Sequence, residues 1–128
     1  MIIEHFGGKA ICDNIKDVEN VLNYRTEKGV NEFWIYGETK YPLLGLLVNK
    51  GTAYLHYFVN EGEPGFQSIG NDNLELDENE NSIFYTNTDT EEVSIPNYSI
   101  ITFTSALKAV KEFFETNDMP QCIEWDEM

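Results

Sequence analysis

The chain has 128 residues, a net charge of -15 with eight basic side chains against 23 acidic ones, and 41% hydrophobic content. This balance excludes nucleic acid and anionic membranes as direct partners, because phosphate contacts need cations and like charges repel. It also excludes an acidic disordered chain, which would lack the aromatic residues that make up 13% here.

Residues 14 to 28 are predicted to form a helix. Ile11, Ile15, Val18 and Leu22 fall on one apolar stripe, Asp13 or Asn14 caps the start, and Gly29 supplies a left-handed stop. The period then changes to two. Phe33 to Tyr36, Leu43 to Asn49 and Thr52 to Val59 read as strands, the last two joined in a hairpin by Asn49-Lys50-Gly51. Glu61 to Gly65 is a turn before a short strand, Phe66 to Ile69, and Asn71 to Asn81 is a polar loop. Ser82 to Asn87 and Glu92 to Ile95 form a further hairpin, which Pro96 terminates. Residues 104 to 116 carry the clearest helical repeat, with Thr104 or Ser105 as N-cap and Asn117 as the stop. Gln121 to Trp125 returns as a short strand. The order predicts an α+β fold: one domain over residues 1–128, with a curved, mostly antiparallel sheet against which an N-terminal and a C-terminal helix pack.

Cys12 and Cys122 lie far apart without a secretory signal, the pattern of buried thiols in a cytosolic protein. Met1 to His5 has no basic n-region, and no apolar run approaches the roughly 20 residues that span a bilayer, so a soluble, cytoplasmic protein is expected. Motifs for catalysis are missing. His5 and His56 share no metal-ligand spacing with each other or with the cysteines. Gly7-Gly8-Lys9 lacks the glycine frame and following hydroxyl of a phosphate loop. Asp77 to Ser82 places oxygen ligands at alternate positions like a calcium loop, but Ser82 stands sixth where glycine is needed and Thr88 twelfth where a bidentate Glu is needed. Ser68 and Ser99 have no matching His and Asp. No catalytic residue, metal site or cofactor is predicted.

Between Gly51 and Leu107 the chain has ten carboxylates and no Lys or Arg. A field of one sign attracts basic surfaces, so the sharper reading is a basic protein partner. A small-ligand- or cation-binding α+β domain is the alternative. The acids assigned to a docking face are Glu61, Glu63, Asp72, Glu75, Asp77, Glu78, Glu80 and Asp89, with Trp34, Tyr36, Tyr54 and Tyr57 as aromatic anchors.

Several segments in order carry a family likeness. They are Gly37 to Leu47 (Gly-x-x-x-x-Pro-Leu-Leu-Gly-Leu-Leu), the aromatic strand Ala53 to Phe58, and Gly65 to Gly70. Ile95-Pro96, the helix from Ala106 to Asn117, Pro120 and Trp125 complete the set. Over roughly residues 30 to 128 this resembles the Imm1 family of bacterial immunity proteins. A glycine commonly follows the helix in that pattern; Asn117 stands here and tolerates the same left-handed backbone. The resemblance implies a cytoplasmic binding protein rather than an enzyme. It would neutralise a cognate toxin domain, a nucleic-acid deaminase or nuclease, by covering its basic active-site region. It also implies that Phe113, Phe114, Pro120, Trp125, Gly65 and Gly70 maintain the fold.

Overall fold

A computed structural model describes residues 1–70 and 74–128. The chain runs β1 (Ile2–His5), β2 (Gly8–Ile11), α1 (Ile15–Leu22), β3 (Val30–Tyr36), β4 (Leu43–Asn49), β5 (Thr52–Phe58) and β6 (Phe66–Ile69). Then come β7 (Asn81–Tyr85), β8 (Glu92–Pro96), a 3-10 turn (Asn97–Ser99), β9 (Ile101–Thr102), α2 (Phe103–Thr116) and β10 (Glu124–Glu127). Eight strands form one open antiparallel sheet in the order β10-β6-β5-β4-β3-β1-β2, with β9 also paired to β5. Strands β7 and β8 make a separate hairpin.

Alternation along the strands sorts the side chains onto two faces. On the inner face Ile3, Phe33, Ile35, Leu44, Leu46, Val48 and Leu55 meet Val18 and Leu22 of α1 and Ala106, Val110 and Phe113 of α2. On the outer face Tyr54 forms a second, smaller cluster with Phe84 and Ile95 of the hairpin and Ile100. The sheet therefore lies between the helices and the β7–β8 hairpin. The expected α+β class with an antiparallel sheet and two packed helices is what the chain adopts.

The edge of β5 is shared. β9 pairs with its first residues and β6 with its last. The Leu55 amide between them would be an orphan, and the Ser68 hydroxyl accepts from it at 3.1 Å while donating to Ser99 O at 2.7 Å. Ser68 thus has a structural task.

Helix α2 starts one residue earlier than predicted. Thr102 is the N-cap, its Oγ1 accepting from the Ser105 amide at 3.1 Å, and Asn117 ends the helix at φ 53°, ψ 34°. Beyond it, the Glu112 carboxylate accepts from the amides of Gln121 and Cys122, and Trp125 Nε1 donates to Pro120 O at 2.7 Å. The Pro-x-x-x-x-Trp spacing is thus a closed hydrogen-bonded loop. It delays the last strand, which forms at Glu124–Glu127 against β6 rather than at Gln121 to Trp125.

Helix α1 has only eight residues and ends at Leu22, not at residue 28. Asn14 caps its start, as expected, with Oδ1 accepting from the Asp17 amide at 2.9 Å. At the other end Asn23 and Arg25 cap the last carbonyls, and Asn31 Nδ2 holds Tyr24 O at 2.9 Å. Gly29 is left-handed at φ 80°, but in a turn leading into β3. The N-terminal hairpin β1–β2 replaces a segment that gave no strand prediction. Ile11 belongs to β2, is 71% exposed and takes no part in the helix stripe. Both cysteines are free; Cys12 is buried as expected, whereas Cys122 is exposed. No helix among the described residues is long and apolar enough to cross a membrane.

Candidate functional site: an aromatic groove on the outer sheet face

One cross-strand row organises the outer face. Glu4, Trp34, Gly45, His56, Gln67 and Asp126 are successive partners across β1, β3, β4, β5, β6 and β10. A glycine inside a strand marks a close approach. A Cβ at Gly45 would lie 2.8 Å from the Trp34 ring, so the bare backbone is the seat of the indole. Phe58 lies 6.4 Å from the Trp34 ring centre, and His56 stacks on Phe58 at 4.0 Å. His56 Nε2 is 2.7 Å from Pro64 O, so the neutral ring carries its proton there, and burial holds its pKa below the ordinary value.

The hairpin walls this groove. Glu32, only 6% exposed, anchors it: one carboxylate oxygen accepts from the Thr86 hydroxyl and the other from the Asn87 amide at 3.1 Å. Asn49 Nδ2 holds Ile83 O at 3.0 Å, and Lys28 Nζ holds Asp89 O at 2.9 Å. Between the β1–β2 turn, Trp34 and the hairpin turn opens a polar hollow of about 400 Å³, with Glu4, Glu32 and Asp89 among its lining residues. A second, apolar recess of about 220 Å³ lies over Gly45, bounded by Trp34, Leu47, Tyr54, Val93 and Ile95. A third lies beside Trp34, Tyr36 and Tyr41. Trp34 borders all three.

The sequence-predicted residues separate into groups. Trp34 and Tyr36 are half-buried in the groove, and the Tyr36 hydroxyl donates to Glu4 at 2.8 Å. Tyr54 and Tyr57 are not exposed anchors. Tyr57 is 3% exposed and faces Phe113 and Trp125 beneath the helices; Tyr54 is 7% exposed under the hairpin, its hydroxyl bonded to Gln67. Their positions follow from strand parity: residues 54 and 57 of one strand point to opposite faces.

Among the acids, Asp89 lines the hollow. Glu61 and Glu63 are exposed in the β5–β6 turn, and Glu75, Asp77, Glu78 and Glu80 are exposed before β7, at the opposite end of the hairpin from Asp89. Asp72 lies outside the described residues. Charge counting does not single out Glu4 and Glu32, because they precede the acidic stretch. The signal was available in β3, where Glu32, Trp34 and Tyr36 alternate onto one face. Among the described residues no cluster of His, Cys, Asp or Glu is arranged to hold a metal ion.

The buried tyrosines carry a prediction. Burial first, with the Asp118 carboxylate adding for Tyr57 and Tyr98 for Tyr54, pushes both from 10 up to about 12. The native state then holds more protons than the unfolded chain between pH 10 and 12, so stability falls as pH rises through that window. Ultraviolet titration should show these two phenols ionising last, together with alkaline unfolding. Ionisation of every tyrosine near 10 with the fold intact would refute the burial argument.

Half-buried aromatic rings with an acidic rim have the make-up of a surface that binds another protein. The class this defines is a protein-binding module, and sequence comparison gives its family. Residues 11–127 match the model of the family described as Immunity protein Imm1, and the chain belongs to that family. It is a toxin-neutralising immunity protein. It is similar to a double-stranded DNA deaminase immunity protein of Burkholderia cenocepacia (strain H111), at 26% identity over 129 residues that span the whole of both chains.

Proposed function

We propose that this protein neutralises a cognate toxin that deaminates DNA, acting in the cytoplasm as a non-catalytic inhibitor that covers the toxin's basic substrate cleft. The observation carrying this reading is an aromatic groove lined by three carboxylates with no ion-pair partner among the described residues, Glu4, Glu32 and Asp89. Among the described residues the ion pair is Lys111–Glu19 at 3.0 Å, away from the groove. Glu4, Glu32 and Asp89, and the outlying Glu61, Glu63, Glu75, Asp77, Glu78 and Glu80, thus leave their charge available to a partner. The Burkholderia cenocepacia relative, an immunity protein for a double-stranded DNA deaminase, supports a deaminase as the target class. An enzyme acting on DNA needs cations along its substrate path, and a protein of net charge -15 is attracted to the same cations.

The test is inhibition of the toxin domain encoded beside this gene, acting on double-stranded DNA, with affinity measured at low and moderate salt. One equivalent of protein should abolish deamination, and binding should weaken as salt rises. Association should also exceed the roughly 10⁵–10⁶ M⁻¹s⁻¹ of unsteered encounters at low salt. Undiminished deamination at full saturation would sink the occlusion mechanism.

A further inference from the structure

We propose that the hollow beside Trp34 is an arginine socket: it receives one arginine side chain of the toxin, with the guanidinium against the indole and its donors on Glu4, Glu32 and Asp89. This deepens the reading above and rests on it for the identity of the partner.

Four observations select the occupant. The first is charge. Three carboxylates line the hollow, and no Lys or Arg does. Lys28 donates to the Asp89 carbonyl and lies 5.0 Å from the Tyr85 ring centre, and Lys9, the register partner of Glu4, is in no ion pair among the described residues. An anion or a neutral side chain would leave this charge uncompensated.

The second is Glu32. A carboxylate removed from water normally has a cation beside it. Glu32 is buried, yet its partners are a hydroxyl and an amide from the hairpin. Two carboxylate oxygens offer about four acceptor sites, so capacity for further donors remains. The third is Trp34. Its ring lies over Gly45 and borders both the polar hollow and the apolar recess. An indole face beside carboxylates suits a planar, weakly hydrated cation better than a compact ammonium. The fourth is pre-organisation. Glu32 ties the hairpin turn to β3, and Tyr36 donates to Glu4, so two of the carboxylates are already positioned.

The experiment has two arms. In the first, the toxin is titrated with the wild type, with Trp34→Ala, with the double variant Glu4→Gln/Asp89→Asn, and with Glu115→Gln/Glu124→Gln, at exposed positions of α2 and β10, as a control for net charge. Thermal melts verify folding. Trp34→Ala and the double variant should each weaken binding by about tenfold or more, the control by less than about twofold. A double-mutant cycle should couple Trp34 to one arginine of the toxin. Equal losses for the double variant and the control, or coupling only to a lysine, would overturn the socket.

The second arm needs no toxin. The Trp34 indole proton resonance is followed while the peptide Gly-Arg-Gly or Gly-Lys-Gly is added. The arginine peptide should move it several-fold more than the lysine peptide. Equal movement, or none, would overturn the socket even where toxin binding is intact. Failure of the wild type to bind the toxin would instead remove the proposed partner, and the peptide arm would still decide the chemistry of the hollow.

Discussion

Phe113→Ala is expected to lower the unfolding free energy by about 3–5 kcal/mol, the usual cost of deleting a buried aromatic ring. Phe113 is fully buried on the inner side of α2. Its ring meets Tyr57 edge-on at 6.2 Å, and Tyr57 in turn meets Trp125 at 6.1 Å, so the ring joins α2 to β5 and to the closing segment. Its carbonyl also accepts the Asn117 amide at the helix stop, a bond that the substitution keeps. The loss therefore isolates packing. It should appear as a fall in melting temperature on the order of 10–20 °C. A fall of only a few degrees would mean that the inner core collapses around the gap. Phe114, one residue on and half-buried, should be more tolerant.

Gly45→Ala is expected to leave the melting temperature nearly unchanged while weakening toxin binding by about tenfold or more. The added methyl would stand 2.8 Å from the Trp34 ring, closer than carbon atoms pack, and the indole is half-exposed and free to swing aside. Alanine also limits the unfolded chain, an effect of about 0.4–1 kcal/mol that opposes the steric cost. Stability and binding should thus separate. Gly65→Ala is a useful contrast. Gly65 has φ 80°, and a Cβ there would lie 2.4 Å from Tyr57 O, so the loss should fall on the fold. Full toxin affinity in Gly45→Ala would remove the Trp34 seat from the binding surface.

Periodicity was most informative where one segment obeyed one period and ended on a strong signal. The β4–β5 hairpin, β6 and the end of β8 at Pro96 fall almost where the pattern places them. Asn117 adopts the left-handed stop that its chemistry permits. Ambiguity arose where short elements depend on distant partners. Ile11 fitted a helical stripe by spacing, but the ladder from Ile2 to Ile11 claims it for a strand. The α1 stop combines local caps from Asn23 and Arg25 with a tie from Asn31 to Tyr24 O, seven residues back, which no local pattern records. The groove was partly legible, since Trp34 and Tyr36 alternate onto one face. Glu4 joins them only through pairing of β1 with β3, a long-range fact. Charge counting located Asp89 but treated the acids as one patch, whereas the fold distributes them to separate ends of the hairpin.

Among the described residues no ladder joins the β7–β8 hairpin to the main sheet; the hydrogen bonds from β3 and β4 to it use the side chains of Glu32 and Asn49. An element attached through side chains can shift or change its turn without breaking the ladder of its support. A partner docking on the groove would therefore meet a composite surface: a floor of Glu4, Glu32 and Trp34 fixed by the strand ladder, and a wall at Asp89 that can adjust its position without any change in strand register.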